Sequence, residues 1–523
     1  MQRSSGSHFG ARMLLHNAIL KPKGAKTVTS NPILAQFPPL RQVFSAFWRA
    51  VVPQRHCKRP NLSQLARQPH RLPTFVRQSA VAMRYLHLLA PLDWDGFPER
   101  DLDTDWGQPT VPFASFIAAC LVKLDQHLVY MSHLRQYLVE HPALVWVLGF
   151  PLVPSPHYAC GFDADASLPT ARHFTRMLRS TPNAVSQYLL DEAVRLLQAE
   201  LSTEVDDFGQ AISLDTKHII AWVRENNPKD YVENRYDKSR QPSGDPDCRL
   251  GCKRRRNQRA SSKEPPPTPR DNPVAPNISI GEYYWGYASG VVATRVPGWG
   301  EFVLAELTLP FDQPDVAYFH PLMADTERRL GFRPRYGAFD AAFDAFYVYE
   351  HFHRDHQPID AAFAAVPLSK RGGKRRQFSQ QGWPLCEAGL PMPLKLTFTC
   401  KTTRVEHQRG RYACPLLFPE PTGESCPIQH KKWPKGCVTT MATSVGARIR
   451  YQLDRKSDIY KDVYRQRTAT ERINSQAKEL GIERPRLRNG QAIANQNTLI
   501  YVLINLRALQ RVRRKKAERD SSA

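Results

Sequence analysis

At about residue 210 the hydrophobic period of this chain changes, and that change limits the available folds more than any other feature. Before it, apolar residues recur at intervals of three and four. After it, "QAISLDTKHIIAWV" (210–223), "EYYWGYASGVVA" (282–293) and "GEFVLAELTL" (300–309) are short, β-branched and aromatic, as strands are. The helical pattern of "DVAYFHPLMADTERRLGF" follows, and "RPRYGAFDAAFDAFYVYEHF" then reads as a strand running into a helix. Three strands, a helix, a strand and more helix predict an α/β fold built on a mixed sheet.

The flanking regions set the expected domain organisation. Residues 112–150 predict a pair of amphipathic helices closed by Gly149. "SLPTARHFTRMLRSTP" and "NAVSQYLLDEAVRLLQAEL" continue the helical pattern, with Pro182 near the start of the second. Residues 100–203 are therefore expected to form a helical DNA-binding domain, with Arg172, His173, Arg176 and Arg179 either riding on DNA or forming a solvated face. The first part of the α/β core spans 204–370. It is interrupted by a Pro-, Ser- and Arg-rich stretch, 237–279, that reads as a flexible basic loop. A β-rich insertion is expected at 371–446. The core resumes at 447–510 and ends in a basic tail, 511–523.

Charge narrows the choice of partner. Lys and Arg outnumber Asp and Glu 73 to 49, giving +24, the balance of a chain that meets a polyanion such as nucleic acid. No run of about 18 uncharged apolar residues is present, so no membrane-spanning helix is expected. From Met1 to Leu92 there is no acid, while Lys and Arg occur 14 times. Residues 1–99 thus read as a basic, disordered arm, a transit segment, or an extension ahead of a start at Met83. Ten cysteines (57, 120, 160, 248, 252, 386, 400, 414, 426 and 437) follow no secretory signal, so a reduced, cytoplasmic protein is expected. His407 and His430 lie among the last four, but the close C-x-x-C knuckles of zinc ribbons are missing. Buried thiols are the expectation there.

Three acids carry the candidate chemistry. Asp215 follows the alternation of "AISL" in the first strand, Asp340 ends "RYGAF", and Glu471 lies in a late stretch with helical pattern, "YRQRTATERINSQAK" (464–478). Strand ends beside a helix face are where distant residues converge. Carboxylates gathered there repel one another unless a hard cation, Mg²⁺ or Mn²⁺, neutralises them. At about 100° per residue, Tyr464, Arg467, Glu471 and Lys478 fall within an arc of roughly 60°. Asp344, four residues after Asp340, is the alternative ligand. Asp340 is preferred because it ends the strand run, whereas Asp344 suits a helix start.

The spacing Tyr464, Arg467, Glu471, Lys478 resembles the Tyr-Arg-Glu-Lys signature of one branch of the DDE transposases of bacterial insertion sequences. "SLDTK" is similar to that family's first-Asp strand and "GAFDAAFDA" to its second-Asp segment. "GDPDCRLGCKRRRN" with "YYWGYASGVV" resembles the strand region between them, with Cys where Ala is usual, and "LPTARHFTRML" resembles a helical motif ahead of the core. The resemblance spans about residues 84–510. It implies a ribonuclease H-like catalytic core with a β-rich insertion before the helix that bears the Glu. Asp215, Asp340 and Glu471 would bind two divalent metal ions, Mg²⁺ or Mn²⁺. Such a pair activates a water or a DNA 3′-OH for in-line attack at phosphorus. Arg467 and Lys478 would hold transposon-end phosphates, and Tyr464 would contact DNA near the cleaved bond. Further implications are a dimer on DNA, cleavage and transfer of strands at terminal inverted repeats, and a bacterial, nucleoid-associated location. A non-catalytic DNA-binding protein derived from such an enzyme is the other reading. Trp383 and Trp433, in the insertion, are expected to be core aromatics.

Overall fold

Three long strands build the main sheet: β1 (Ala211–Ile220), β3 (Gly281–Val296) and β4 (Gly300–Pro310). The computed structural model in which they are seen describes residues 62–100, 111–254, 281–369, 377–401, 405–429 and 435–521. These fall in one unit, Arg55–Leu102 with Thr110–Ala523. Residues 1–61 of the expected basic arm and 255–279 of the expected basic loop lie outside the described residues.

The central β3 pairs antiparallel with β1, with β4 and, at its start, with β2 (Arg249–Arg254). Beyond β1 the sheet continues in parallel through β5 (Tyr336–Ala338) and β6 (Phe363–Ala365). The result is a mixed, six-stranded sheet in an α/β fold. Val291, Val292 and Ala293 of β3 and Val303, Leu304 and Ala305 of β4 are fully buried, as successive residues are when both faces of a sheet are covered. Gly286 permits the close passage of β3 past the end of β1: a Cβ there would lie 2.0 Å from the Ile219 carbonyl oxygen.

Eleven helices of seven or more residues occur among the described residues: α1 (Ala80–Leu89), α2 (Phe113–Asp125), α3 (Met131–Glu140), α4 (Ala171–Ser180), α5 (Asn183–Leu201), α6 (Phe319–Leu330), α7 (Phe346–Phe352), α8 (Val445–Gln452), α9 (Asp458–Arg465), α10 (Thr468–Glu479) and α11 (Gly490–Asp520). The helices of 113–201 close no core of their own, because one continuous cluster runs from Leu62 through the sheet to Val512. α5 and β4 both pack along α11. Between them Glu306 is buried, accepting from Thr308 Oγ1 (2.6 Å), Thr498 Oγ1 (2.7 Å) and Gln187 Nε2 (3.0 Å). A buried carboxyl needs such partners to offset its lost hydration.

Several expectations change at this level. The two amphipathic helices expected over 112–150 are three, α2, α3 and Pro142–Val147. Every residue of α2 from Ala114 to Asp125 is buried, so α2 has no polar face. Its last residue, Asp125, accepts from Tyr85 Oη (2.8 Å) and is ion-paired with Arg84 and Arg507, joining α1, α2 and α11. Residues 62–100, read as part of a disordered arm, instead hold α1 and two short helices. Val76, Ala82, Tyr85, Leu86, Leu89 and Leu92 are fully buried, so apolar burial here outweighs the basic composition.

Likewise Arg249–Arg254, read as flexible loop, is a strand. It is pinned because the Trp285 indole donates to the Arg235 carbonyl (2.7 Å) and Asp245 accepts from Tyr287 Oη (2.7 Å). Asp247 accepts from the Asn489 amide (2.7 Å), at the start of α11. Its neighbours decide the strand, since propensity there is weak.

Between β6 and α8 lies a separate antiparallel sheet of three strands, β7 (Leu394–Cys400), β8 (His407–Ala413) and β9 (Val438–Ala442). Its small core holds Met392, Tyr412 and Met441, with Trp383 packed against it beneath the Arg448 guanidinium (5.7 Å). Trp433 lies outside the described residues. Cys414, Cys426 and Cys437 share a second small cluster, and burial pushes the Cys437 thiol up to about 12. The chain returns to the main core through α8, which lies so close to α7 that a Cβ on Gly446 would meet the Phe346 carbonyl oxygen at 2.2 Å. No helix among the described residues is long and apolar enough to cross a membrane.

Candidate active site

The parallel pairing of β1 with β5 sets Ser213 opposite Ala338. Two residues further along each chain are Asp215 and Asp340. Asp215 lies within β1, and Asp340 follows two residues past the end of β5, whose backbone runs about 4.8 Å from that of β1. Asp340 is still extended (φ −79°, ψ 175°) and caps the turn Ala341–Phe343, accepting from the Ala342 N–H (2.8 Å).

The electrostatics follow from this placement. Burial raises the Asp215 carboxyl to about 6, with repulsion from Asp340 and Asp315 adding to it and Arg467 opposing it. Burial likewise raises Asp340, again with repulsion from Asp315 and attraction to Arg467. Asp315, which the sequence reading missed, enters from the turn after β4 and is anchored by the Thr216 hydroxyl (2.8 Å). Asn474, also missed, donates from Nδ2 to Asp215 Oδ2 (3.2 Å). The helix arithmetic that grouped Arg467 and Glu471 could have found Asn474, which lies one turn beyond Glu471. Asp315 opens the helical stretch that begins "DVAYF", where an acid reads as an ordinary helix-start residue.

The stretch 464–478 is two helices. α9 ends at Arg465 and α10 begins at Thr468, joined by tight bonds from Arg467 N to Tyr464 O (3.1 Å) and Ala469 N to Gln466 O (2.9 Å). The single continuous face expected from Tyr464 to Lys478 is thus interrupted. The Thr468 and Thr470 hydroxyls bond back to the carbonyls of Arg465 and Arg467 (both 2.9 Å), an arrangement that bends helices. Tyr464 stacks on Tyr460, and Tyr460 on Phe363 (centroids 6.1 and 6.2 Å). Arg467 is ion-paired with Glu471. Lys478 and Lys217 both face Glu483, at 3.8 and 2.6 Å.

Asp215, Asp340, Asp315 and Arg467 are therefore brought together, with α10 packed over β1. Glu471 stands on the same helix as Asn474 but is engaged by Arg467. Among the described residues no group of three or more His, Cys, Asp or Glu side chains is arranged to hold a metal ion. The donor chemistry of Asp215 and Asp340 fits a hard divalent cation, since oxygen ligands forced together are relieved by one.

Asp344 is occupied elsewhere. Its fully buried carboxylate takes Arg450 on both oxygens and accepts from Tyr349 Oη (2.8 Å) and the Ser369 N–H (2.7 Å). Although burial pushes its carboxyl up, Arg450 and these donors outweigh that and hold it below the usual range.

The raised Asp215 carboxyl has a definite pH signature. The folded state binds this proton more tightly than the unfolded chain. Its stabilising contribution is therefore complete below pH 4 and lost as pH rises through about 6. Urea titrations of wild type and Asp215→Asn are expected to diverge over that window. Wild type should lose on the order of 2 kcal/mol relative to the variant between pH 4 and 7. Parallel curves would contradict the burial assigned here.

Comparison with family models and with curated proteins returned no match for this chain.

Proposed function

We propose that this protein is a DDE-type DNA transposase, with a ribonuclease H-like core that binds the terminal inverted repeats of its element and cleaves and transfers strands. One observation carries the reading. Two carboxylates with raised proton affinity, Asp215 within β1 and Asp340 just past the end of the parallel neighbour β5, interact with each other and with Arg467, which leads into the helix that carries Glu471 in its first turn. Supporting it are the sheet order, the three-stranded insertion ahead of α8–α10, and a charge of +24.

In this reading Asp215, Asp340 and Glu471 hold two Mg²⁺ or Mn²⁺ ions. When bound, such a pair lowers the pKa of an attacking water or 3′-OH and steadies the leaving oxygen. Glu471 joins the set by giving up Arg467, and the freed guanidinium then grips a DNA phosphate as a fork. Asn474 orients Asp215 through its amide. Lys478 supplies a point charge to the backbone, and the Tyr464 hydroxyl faces DNA from the end of α9. Pairing two element ends calls for two copies of the chain.

The Arg467–Glu471 pair, with no ligand set of three among the described residues, favours a second reading, a DNA-binding protein that does not cut. One experiment separates them: incubation of the purified chain with a labelled duplex carrying the inverted repeat that flanks its gene, with Mg²⁺ or with chelator. Nicking at the repeat end, dependent on Mg²⁺, is expected. Binding without nicking would establish the second reading.

A further inference from the structure

Beyond the acids, β1 runs into a basic groove of about 510 Å³. Two loop segments form its walls. In 220–224, Ala221 and Val223 are buried while Trp222 and Arg224 are exposed. In 482–488, Ile482, Pro485 and Leu487 are buried while Arg484, Arg486 and Arg488 are exposed. Three guanidiniums in a five-residue stretch are thus exposed in alternation with buried residues. The segments are tied at both ends, by Ile220 N to Glu483 O (2.9 Å) and Arg488 Nε to Trp222 O (3.1 Å). Trp222, 39% exposed, lies under both the Arg486 and Arg488 guanidiniums, at 5.7 and 4.9 Å from its ring centre. With Lys229, five cations line the groove against the single carboxylate of Asp230.

Like charges held this close repel unless a polyanion lies among them, and planar forks braced on an aromatic face suit phosphate oxygens. Lys217 and Lys478, both at Glu483, stand between this groove and Asp215. Five positions of β1, about 17 Å of extended strand, carry the chain from Asp215 to Ile220 at the edge of this groove.

We propose that this groove grips the phosphate backbone of duplex DNA about half a helical turn from the bond held at Asp215 and Asp340. Trp222 acts as the brace for Arg486 and Arg488. The proposal rests on the DNA-transposase reading and extends its DNA contacts to residues beyond the acid-bearing helix.

The test is the salt dependence of binding between the full chain and a fluorescein-labelled DNA duplex three helical turns long, of arbitrary sequence. Each neutralised phosphate contributes about 0.9 to the slope of log K against log salt. Arg484→Ala/Arg486→Ala is therefore expected to lower the slope by about 2, and either single change by about 1. Trp222→Ala should weaken binding several-fold, and Trp222→Phe should restore it. Arg195→Ala/Arg514→Ala removes the same charge from exposed positions outside the groove and should leave the slope unchanged. Wild-type binding with equal slopes in all variants would overturn the groove alone. A wild-type chain that fails to bind the duplex would overturn both the groove and the DNA reading. The single variants give the same measure with less perturbation, so their slopes decide the matter if the double variant unfolds.

Discussion

On the proposed transposase reading, Asp340→Asn is expected to lower Mg²⁺-dependent cleavage by about 10³-fold or more, the usual cost of removing a member of a catalytic set, while leaving the folded chain at least as stable as wild type. Asparagine keeps the shape, and its side-chain oxygen can still cap the Ala342 N–H, but it cannot supply the charge that a hard cation needs. Stability should hold because the ionised carboxylate is unfavourable where it sits: burial and repulsion from Asp315 raise its proton affinity. At neutral pH its removal takes away a cost. Initial nicking rates together with urea midpoints measure both effects. A near-wild-type rate would remove Asp340 from the catalytic set.

Asp344→Asn, four residues on, should show the opposite signature, a loss of roughly 3–5 kcal/mol in folding free energy. The side chain is 0% exposed and takes Arg450 on both oxygens, with Tyr349 and Ser369 completing its bonds. An amide can accept at one position only, so Arg450 is left half-paired between α7 and α8. Because Arg450 holds the Asp344 carboxyl low, its stabilisation is present above the unfolded carboxylate pKa of about 4 and fades as pH falls below it. Denaturation at pH 7 and pH 3 measures the loss, and the gap between variant and wild type should narrow in acid. Under conditions where Asp344→Asn remains folded, its cleavage rate should approach that of wild type. A stable but inactive Asp344→Asn would exchange the roles of the two acids.

Much of this arrangement could be read from residue patterns, and the remainder has identifiable physical causes. β1, β3 and β4 announce themselves by β-branched and aromatic runs, and α11 by its long apolar stretch, because burial demands those side chains whatever their neighbours. Arg249–Arg254 does not, since its pairing depends on Trp285, Tyr287 and Asn489, all distant in sequence. The break between α9 and α10 is equally hidden: Gln466 and Arg467 keep helical dihedrals, and only hydrogen bonding one residue tighter betrays it. In the site, Asp215 and Asp340 could be named from strand ends, yet their proximity is visible only once β1 and β5 are paired. Asp315 escaped because an acid in a first helical turn looks like ordinary capping, and Asn474 because a neutral amide draws no attention beside Glu471.

α11 has a consequence for how the protein is made. It packs against α1, α2, α4, α5 and β4, and supplies Arg507 to Asp125 and Thr498 to Glu306. Those partners are made hundreds of residues earlier. A nascent chain that has not reached residue 490 therefore lacks one partner for each of these buried acids and leaves apolar faces open, and contacts this distant in sequence form slowly. The strands that carry Asp215 and Asp340 cannot settle into their final core until synthesis has passed the Glu471 helix as well. Premature termination would release a chain that has its acids but no framework to hold them, which couples completion of translation to competence of the site.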